Sequence, residues 1–229
     1  MKKAVLLAVI ALATAATTQA QTTIAKWTFE TSLPTTAGPF NPEIGSGSAL
    51  GSHAGAAVYS SPGGNGSLKS FSSTFWATGD FYQFQVSTVG YTNITLSYDQ
   101  ISSSTGPKFF DLTYSTDGIN FTTFVSQYTV LANASPNAWS TSTPSAASSY
   151  ADDLSSILAL NDASTVYFRI LENSGTTSAG GGTLATGGTD RVDNFTVNGM
   201  PIVPVPEPST LALTGLGVAG LLLMRRRVK

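Results

Sequence analysis

Apolar and polar residues alternate over short stretches in the middle of this 229-residue chain, and this pattern constrains its fold most strongly. Every second residue is apolar in residues 94–99, 110–115 and 166–171. Successive side chains of a strand point to opposite faces, so a period of two indicates strands with one buried face. The pattern predicts an all-β chain of seven or more strands. The other predicted strands are short runs rich in β-branched and aromatic residues, at 24–29, 81–86, 121–130 and 191–198.

Turn and loop residues separate these runs. Asp117-Gly118 lies between two of them and predicts a hairpin turn. Many short antiparallel strands favour a two-sheet antiparallel β-sandwich, which we expect to be jelly-roll-like with the opening strand beside the closing one. One stretch, residues 150–160, has helical spacing, and Asp152 and Asp153 are expected at the start of that helix. Long loops are expected where Gly, Ser, Thr, Pro or Ala dominate, at 32–66, 132–149 and 173–189.

The first twenty residues have the layout of an export signal. Lys2 and Lys3 precede an unbroken apolar run at 4–16, and small residues end at Ala20. A basic start, a short apolar run and a small-residue exit are typical of a signal peptide. We therefore predict a signal helix that is removed after Ala20, in preference to a buried N-terminal helix of the fold.

The C-terminal residues form a second signal-like segment. A proline-rich stretch at 203–208 leads into an apolar run at 211–224, and Arg225, Arg226 and Arg227 follow. Arginines at the end of an apolar run favour the cytoplasmic side of a membrane. At ~1.5 Å per residue the run gives a helix of about 21 Å, short of the ~30 Å core of a bilayer. The sequence predicts a marginal transmembrane helix, suited to transient anchoring, over the alternative of a buried core helix.

The tail resembles the PEP-CTERM sorting domain. The resemblance rests on Val205, Pro206, Glu207 and Pro208, on the apolar run and on the three arginines at 225–227. It implies processing by an exosortase-type enzyme and delivery to the cell surface or the extracellular matrix. The chain is thus divided into a signal peptide at 1–20, a β-sandwich ectodomain at 21–200 and a sorting tail at 201–229.

A looser resemblance concerns the ectodomain. Residues 109–124 and 191–197 are similar to stretches of galactose-binding-like sandwiches, many of which hold a structural calcium between their first and last strands. This resemblance implies Glu30, Asp190 and Asp193 as calcium ligands, since calcium prefers carboxylate and carbonyl oxygens. The alternative is that these three are solvated acids at strand ends. Calcium is the one cofactor that the sequence leaves open.

Composition excludes several classes of site. Residues 21–205 contain five basic and twelve acidic side chains, a net charge of −7. Such a surface lacks the basic footprint of a nucleic-acid-binding domain. The chain has no cysteine and one histidine, which excludes disulfides, thiolate metal sites and histidine-rich metal centres.

Neither a nucleophile motif nor a convincing carboxylate pair is visible, so we predict that the protein is not an enzyme. His53 lies in a Gly/Ser-rich segment and is expected in an exposed loop. Trp27 is expected in the core, whereas Trp76 and Trp139 lie near loops and are candidate ligand-binding aromatics. The leading hypothesis is a structural or adhesive protein of the cell surface or matrix. The alternative is a carbohydrate-binding module with a polysaccharide as its partner. Calcium-dependent binding is left open for this alternative.

Overall fold

The structure, a computed structural model, describes residues 20–202 together with Gly215, Gly217 and Val218. Within residues 20–202 the chain forms twelve strands and two short 3-10 helices, at Ala146–Ser148 and Leu158–Leu160. The strands are β1 (Thr22–Trp27), β2 (Ile44–Gly45), β3 (Gly47–Ser52), β4 (Tyr59–Ser60), β5 (Phe71–Ser73), β6 (Phe81–Val86), β7 (Tyr91–Ser102), β8 (Phe109–Ser115), β9 (Thr122–Thr129), β10 (Ser149–Asp153), β11 (Val166–Glu172) and β12 (Asp190–Pro201).

These strands form two antiparallel sheets. Sheet A has the order β10-β7-β12-β1-β2, with β5 added beside the first residues of β12 and β4 beside β5. Sheet B has the order β3-β6-β11-β8-β9. The predicted all-β, two-sheet antiparallel sandwich is confirmed. The opening strand does lie beside the closing one, because Ala25 of β1 pairs with Val197 of β12.

Aromatic side chains from both sheets meet in the middle of the sandwich. Phe84 of β6 stacks on Phe195 of β12 with their ring centroids 3.6 Å apart and their planes almost parallel. Trp27 of β1, predicted as a core residue, packs edge-on against Phe84 at 5.3 Å. All three side chains are fully buried. Burial of large aromatic surface from facing strands is what holds the two sheets together.

A β-bulge in β12 makes this core possible. The register between β12 and β7 shifts between Asp193 and Thr196, and Asn194 adopts a positive φ of 51°. One extra residue in a strand reverses which side chains face inward beyond it. Val192 and Phe195, three positions apart, can therefore both be buried in the same core.

The predicted hairpin at Asp117-Gly118 is also confirmed. It joins β8 to β9, and Gly118 has a φ of +75° that a glycine adopts without strain. The Asp117 carboxylate accepts hydrogen bonds from the backbone N–H groups of Ile119 and Asn120, both at 2.8 Å. These bonds favour the ionised form and lower the pKa of Asp117 below its usual range.

The helix predicted at 150–160 is wrong. Its first residues form the edge strand β10, in which Tyr150 pairs with Tyr98 of β7. Leu154 then donates its backbone N–H to the Ile94 carbonyl, and a single 3-10 turn follows at Leu158–Leu160. Asp152 and Asp153 are residues of an edge strand, where charges discourage pairing with further strands. A helix of this length is too short to be stable alone. The first residues of the segment therefore pair with the open backbone groups of β7.

The predicted signal helix and the sorting residues at 205–208 and 225–227 lie outside the described residues. Of the apolar run at 211–224 the structure describes only Gly215, Gly217 and Val218, each in helical conformation. In the part of the chain that the structure does describe, no helix has the length and apolarity needed to cross a membrane.

Replacement of Phe195 by alanine tests the packing of the two sheets. The substitution removes the ring that Phe84 and Trp27 contact and leaves a cavity, so we expect a loss of about 3–5 kcal/mol in the free energy of unfolding. Chemical denaturation measures it. Ile119→Ala is the control, since this side chain is 82% exposed and its loss should cost under about 0.5 kcal/mol. Equal effects of the two substitutions would contradict the proposed core.

Candidate functional site

A cavity of about 300 Å³ lies between three loops at the end of the sandwich where β3 ends and β6 begins. The loops come from residues near Gly55, from 75–77 and from the segment 175–186. The lining is largely apolar, and Thr176 and Thr186 are its two residues with polar side chains. The lining residues are Gly55, Phe75, Trp76, Ala77, Gly175, Thr176, Leu184, Ala185 and Thr186.

Trp76 forms the inner wall of this cavity. The side chain is only 5% exposed, and its indole N–H donates to the Ser73 carbonyl at 3.0 Å. Its ring packs edge-on against Tyr82 and Phe110 of sheet B. The predicted ligand-binding tryptophan is thus a fixed wall of a cavity. It is not an exposed platform, because the loop that carries it turns inward onto the aromatic core.

Phe75, next to it, forms the rim. This residue is 40% exposed and has a φ of 58°, a left-handed conformation that is uncommon for an aromatic residue. Its backbone N–H donates to the Thr186 carbonyl at 3.0 Å and so ties two cavity loops together. Strained residues of this kind persist where the surrounding contacts fix them, often at binding sites.

A buried carboxylate holds two of the cavity loops in place. The two oxygens of Asp80 accept hydrogen bonds from the backbone N–H groups of Ala54 at 2.7 Å and Ala77 at 2.8 Å. His53 lies 3.1 Å from the same carboxylate through Nδ1. Because Gly55 and Ala77 line the cavity, Asp80 fixes the distance between the two cavity loops that carry these residues.

His53 is buried, with 1% of its side chain exposed, so the prediction of an exposed loop histidine is wrong. The loop folds inward because Asp80 offers a partner at one end of the ring and Ser73 offers another at 2.9 Å from Nε2. Burial lowers the pKa of His53, and the Asp80 charge opposes that change only in part. The imidazole is therefore neutral at neutral pH, with Asp80 as the acceptor for Nδ1–H.

Ser73, His53 and Asp80 have the order and spacing of a Ser-His-Asp triad. The serine is fully buried, however, and its Oγ lies 2.8 Å from the Tyr82 hydroxyl. Tyr82 in turn donates to the Asp190 carbonyl at 2.9 Å. The burial of Ser73 leaves the nucleophile no route to a substrate. That the protein is not an enzyme stays a prediction.

No sequence signal points to this group of residues. His53 and Asp80 are 27 positions apart, and each lies in a segment that resembles an ordinary polar loop. Only the pairing of β3 with β6, in which Ser52 lies opposite Phe81, brings the two residues together.

The three predicted calcium ligands do not form one group. Asp190 is fully buried on the inner face of β12, where Gln100 and Ser102 donate to its two oxygens at 3.0 and 2.8 Å. Asp193 lies opposite Asp99, on the other face of β12. Residues three apart in a strand alternate faces, so the pleat itself separates the two acids. Among the described residues, no three His, Asp or Glu side chains are placed to share a metal ion.

Glu30 and Asp193 instead hold the same loop, residues 62–70. Glu30 accepts from the Lys69 backbone N–H at 2.9 Å, and Asp193 accepts from the Asn65 backbone N–H at 3.0 Å. Ser67 Oγ donates to Asp193 as well. A Cβ on Gly64 would lie 2.1–2.3 Å from oxygens of Ser67, Asp193 and Lys69. The loop therefore packs oxygen atoms so closely that only glycine fits at position 64.

The second predicted aromatic, Trp139, is half-buried. Its indole N–H donates to Ser148 Oγ at 2.7 Å, and its backbone N–H donates to Asn133 Oδ1 at 2.9 Å. Both partners belong to the loop 132–149, so these bonds fix the conformation of the loop itself. The structure places Trp139 and Trp76 in different loops, and a ligand-binding role for Trp139 stays a prediction.

Asp193 makes stability depend on pH. Burial raises the pKa of this carboxyl to about 7. A raised pKa means that the folded state retains its proton where the unfolded state has lost it, so stability falls as pH rises from about 4 to 7. Asp193→Asn keeps an oxygen for Asn65 and Ser67 but removes the charge. From pH 5 to pH 7, we expect the free energy of unfolding of the variant to rise by about 1–2 kcal/mol relative to that of the wild type.

Denaturation curves at the two pH values measure this difference. Asp117→Asn is the control, because a lowered pKa contributes stability that is lost only as pH falls below the usual range of an aspartate. That variant should show the same difference from the wild type at pH 5 and at pH 7. If Asp193→Asn behaves like the control, Asp193 does not titrate near neutrality.

Comparison with solved structures gives distant likenesses. The K2 cleaved adhesin domain of Lys-gingipain (Kgp) is 16% identical with a TM-score of 0.42, over 78% of this chain and 97% of that one. The CBM22-1-CBM22-2 tandem domain of Paenibacillus barcinonensis Xyn10C is 13% identical with a TM-score of 0.46, over 85% of this chain and 50% of that one. Bacteriophage CBA120 tailspike protein 4 is 12% identical with a TM-score of 0.35, over 66% of this chain and 18% of its enzymatically active domain.

No curated protein matches the sequence. One family description does match, at residues 204–227, and it is the PEP-CTERM protein-sorting motif. The match covers the proline-rich stretch, the apolar run and the arginines on which the resemblance rested. The chain therefore carries a PEP-CTERM sorting motif, a signal that implies an exported protein.

Proposed function

We propose that the chain is a non-catalytic structural or adhesive protein of the cell surface or extracellular matrix. The exposed ends of the loops around the Trp76 cavity are its recognition surface. The observation that carries this proposal is the cavity itself, about 300 Å³ with an aromatic wall and a glycine-rich border. Concave sites with apolar lining and a few polar groups are where proteins bind small groups.

The construction of the cavity supports binding in preference to a packing defect. Asp80 fixes two of its loops through backbone hydrogen bonds, and Phe75 fixes the third by its bond to Thr186. A site whose walls are held before the ligand arrives loses less entropy on binding. The cavity also lies on loops at one end of a rigid sandwich, where β-sandwich proteins place variable binding residues.

The second candidate function is a carbohydrate-binding module. The observation that favours it is that the partly exposed Phe75 lines the cavity together with Thr176 and Thr186. Sugars combine an apolar face with hydroxyl groups, so an aromatic rim with polar neighbours suits them. A secreted hydrolase has weaker support, since the serine of the triad-like group is fully buried.

We also propose that an exosortase-type enzyme processes the tail near Val205–Pro208. The ectodomain would then depend on the tail for its retention in the envelope, with transient membrane anchoring before release. Removal of residues 205–229 should release the ectodomain into the medium, because it removes both the sorting motif and the apolar run. Immunoblots of envelope and medium fractions measure this. Unchanged envelope retention would contradict the sorting role.

A tryptophan at position 185 should block the cavity. Ala185 lines it with an exposed side chain, so Ala185→Trp fills the space without entering the core. We expect binding of the purified full chain to isolated extracellular matrix to weaken by at least about tenfold. Ala151→Trp is the matched control, on an exposed position of the edge strand β10. Equal binding by both variants would exclude the cavity as the recognition site.

Calcium is proposed only for Glu30 and Asp193, whose loop also provides the Lys69 carbonyl and Ser67 hydroxyl oxygens. An oxygen-rich donor set of this kind suits calcium. Bound calcium would compensate the buried Asp193 charge, so it should raise the melting temperature at pH 7.5 by several degrees. Asp193→Asn should show no such increase. If the wild type has the same melting temperature in calcium and in chelator, this calcium site is excluded.

A further inference from the structure

Arg169 is held rigidly on the outer face of sheet B. Its guanidinium carbon lies 3.6 Å from the ring centroid of Phe121 and 3.9 Å from that of Phe81. Its Nε–H donates to the Gln83 side chain at 2.8 Å, which fixes the plane of the group. Stacking between two rings and one in-plane bond leave the guanidinium little rotational freedom.

This cation has no anionic partner among the described residues. Its hydrogen bond to Gln83 uses Nε, and the terminal nitrogens have no protein acceptor there. Within residues 20–202 no carboxylate oxygen lies within 4.0 Å of the Arg169 guanidinium, and the histidine–carboxylate contact of His53 with Asp80 lies elsewhere in the fold. Burial alone lowers the pKa of Arg169, with no carboxylate opposing it. The side chain remains charged, since an arginine titrates far above neutral pH.

The neighbouring positions in the sheet are polar and also incompletely bonded. Arg169 of β11 lies between Gln83 of β6 and Thr113 of β8 in the register of the sheet. The Thr113 hydroxyl is buried and has no hydrogen-bond partner. Thr113 is too deeply buried to contact a ligand. Arg169 is only half-buried, so its guanidinium is the group here that can donate to an acceptor from outside the protein.

The rest of this face has the chemistry of a sugar-binding surface. Gln85 and Tyr167 are half-buried on the same side of sheet B as Arg169. Amide side chains exchange hydrogen bonds with hydroxyl groups, and the tyrosine ring offers an apolar surface with a polar tip. The turn at 117–121 borders the face, because Phe121 stacks on Arg169 and Gly118 lies against the Tyr167 ring.

We propose that the outer face of sheet B binds an acidic polysaccharide through the carboxylate of a uronic acid residue, with Arg169 as the anion-binding residue. A carboxylate matches the fork of a guanidinium and accepts two parallel hydrogen bonds from it. Gln83, Gln85 and Tyr167 then contact the sugar ring. This site is separate from the Trp76 cavity and goes beyond the function proposed for it.

A glycan fits this face better than an acidic peptide does. Residues 21–205 carry a net charge of −7, so the general field repels polyanions, and one fixed cation must act at short range. A uronic acid residue offers one carboxylate together with ring hydroxyls, whereas the side chains of an acidic peptide offer carboxylates without hydroxyls. Those partners are the amides and the aromatic ring beside Arg169.

Affinity electrophoresis of the purified full chain tests the proposal. Gels contain polygalacturonate, neutral galactan, poly-glutamate or no polymer. We expect retardation by polygalacturonate alone. Arg169→Gln should weaken the affinity for polygalacturonate by at least about tenfold. Arg169→Lys should also weaken this affinity, because lysine keeps the charge but lacks the planar pair of N–H donors that a carboxylate accepts from. Lys108→Gln is the matched control, since Lys108 also lies over a ring, that of Phe109 at 5.2 Å. It should bind as the wild type does.

Several results would overturn the proposal. One is the absence of retardation by polygalacturonate. Another is an equal loss of affinity for polygalacturonate in Arg169→Gln and Lys108→Gln. A third is retardation of the wild type by poly-glutamate that equals its retardation by polygalacturonate. Thermal melts of each variant establish that the sandwich is folded. If Arg169→Gln is unfolded, Arg169→Lys decides, and undiminished binding by a folded Arg169→Lys would also count against the proposal. The cavity variant Ala185→Trp should bind polygalacturonate normally, which separates this proposal from the function of the cavity.

Discussion

The contact between Phe84 and Phe195 holds the two sheets together, and it depends on the β-bulge at Asn194. Without the extra residue, Val192 and Phe195 would point to opposite faces of β12, and the central aromatic ring would leave the core. Asp193 directly precedes the bulge, and the ordinary pleat of β12 places it on the outer face, where it accepts a hydrogen bond from the 62–70 loop. The last strand thus contributes both to the core of the sandwich and to the closure of a surface loop.

Much of the fold could be predicted because a period of two is a local property of the sequence. The strand at Phe81–Val86 was bounded correctly, and the hairpin at Asp117-Gly118 follows from turn chemistry alone. The prediction of a helix at 150–160 was wrong because the spacing of apolar residues does not show that the edge of β7 is open for pairing. The strand β3 was missed inside a predicted loop, since Gly47 and its small neighbours lack strand-forming side chains, yet Gly47 lies against the Trp27 ring.

The candidate site was harder to predict, for a physical reason. Trp76 could be chosen as an aromatic residue near a loop, but its burial depends on the surrounding sheet positions. Asp80, His53 and Ser73 meet only through strand pairing, so no spacing along the chain indicates them. The calcium ligands illustrate the same limit. Asp190 and Asp193 are close in sequence, but the strand pleat sends them to opposite faces.

The central claim is that an exported sandwich recognises its ligand in the cavity beside Trp76. Titration of the isotope-labelled full chain with fragments of the producing cell's matrix, followed in proton–nitrogen NMR spectra, tests it most directly. The account predicts that the Trp76 indole N–H signal and the amides of 175–186 shift first, because these groups border the cavity. Shifts confined to other parts of the sandwich, or no shifts at saturating fragment, would contradict it.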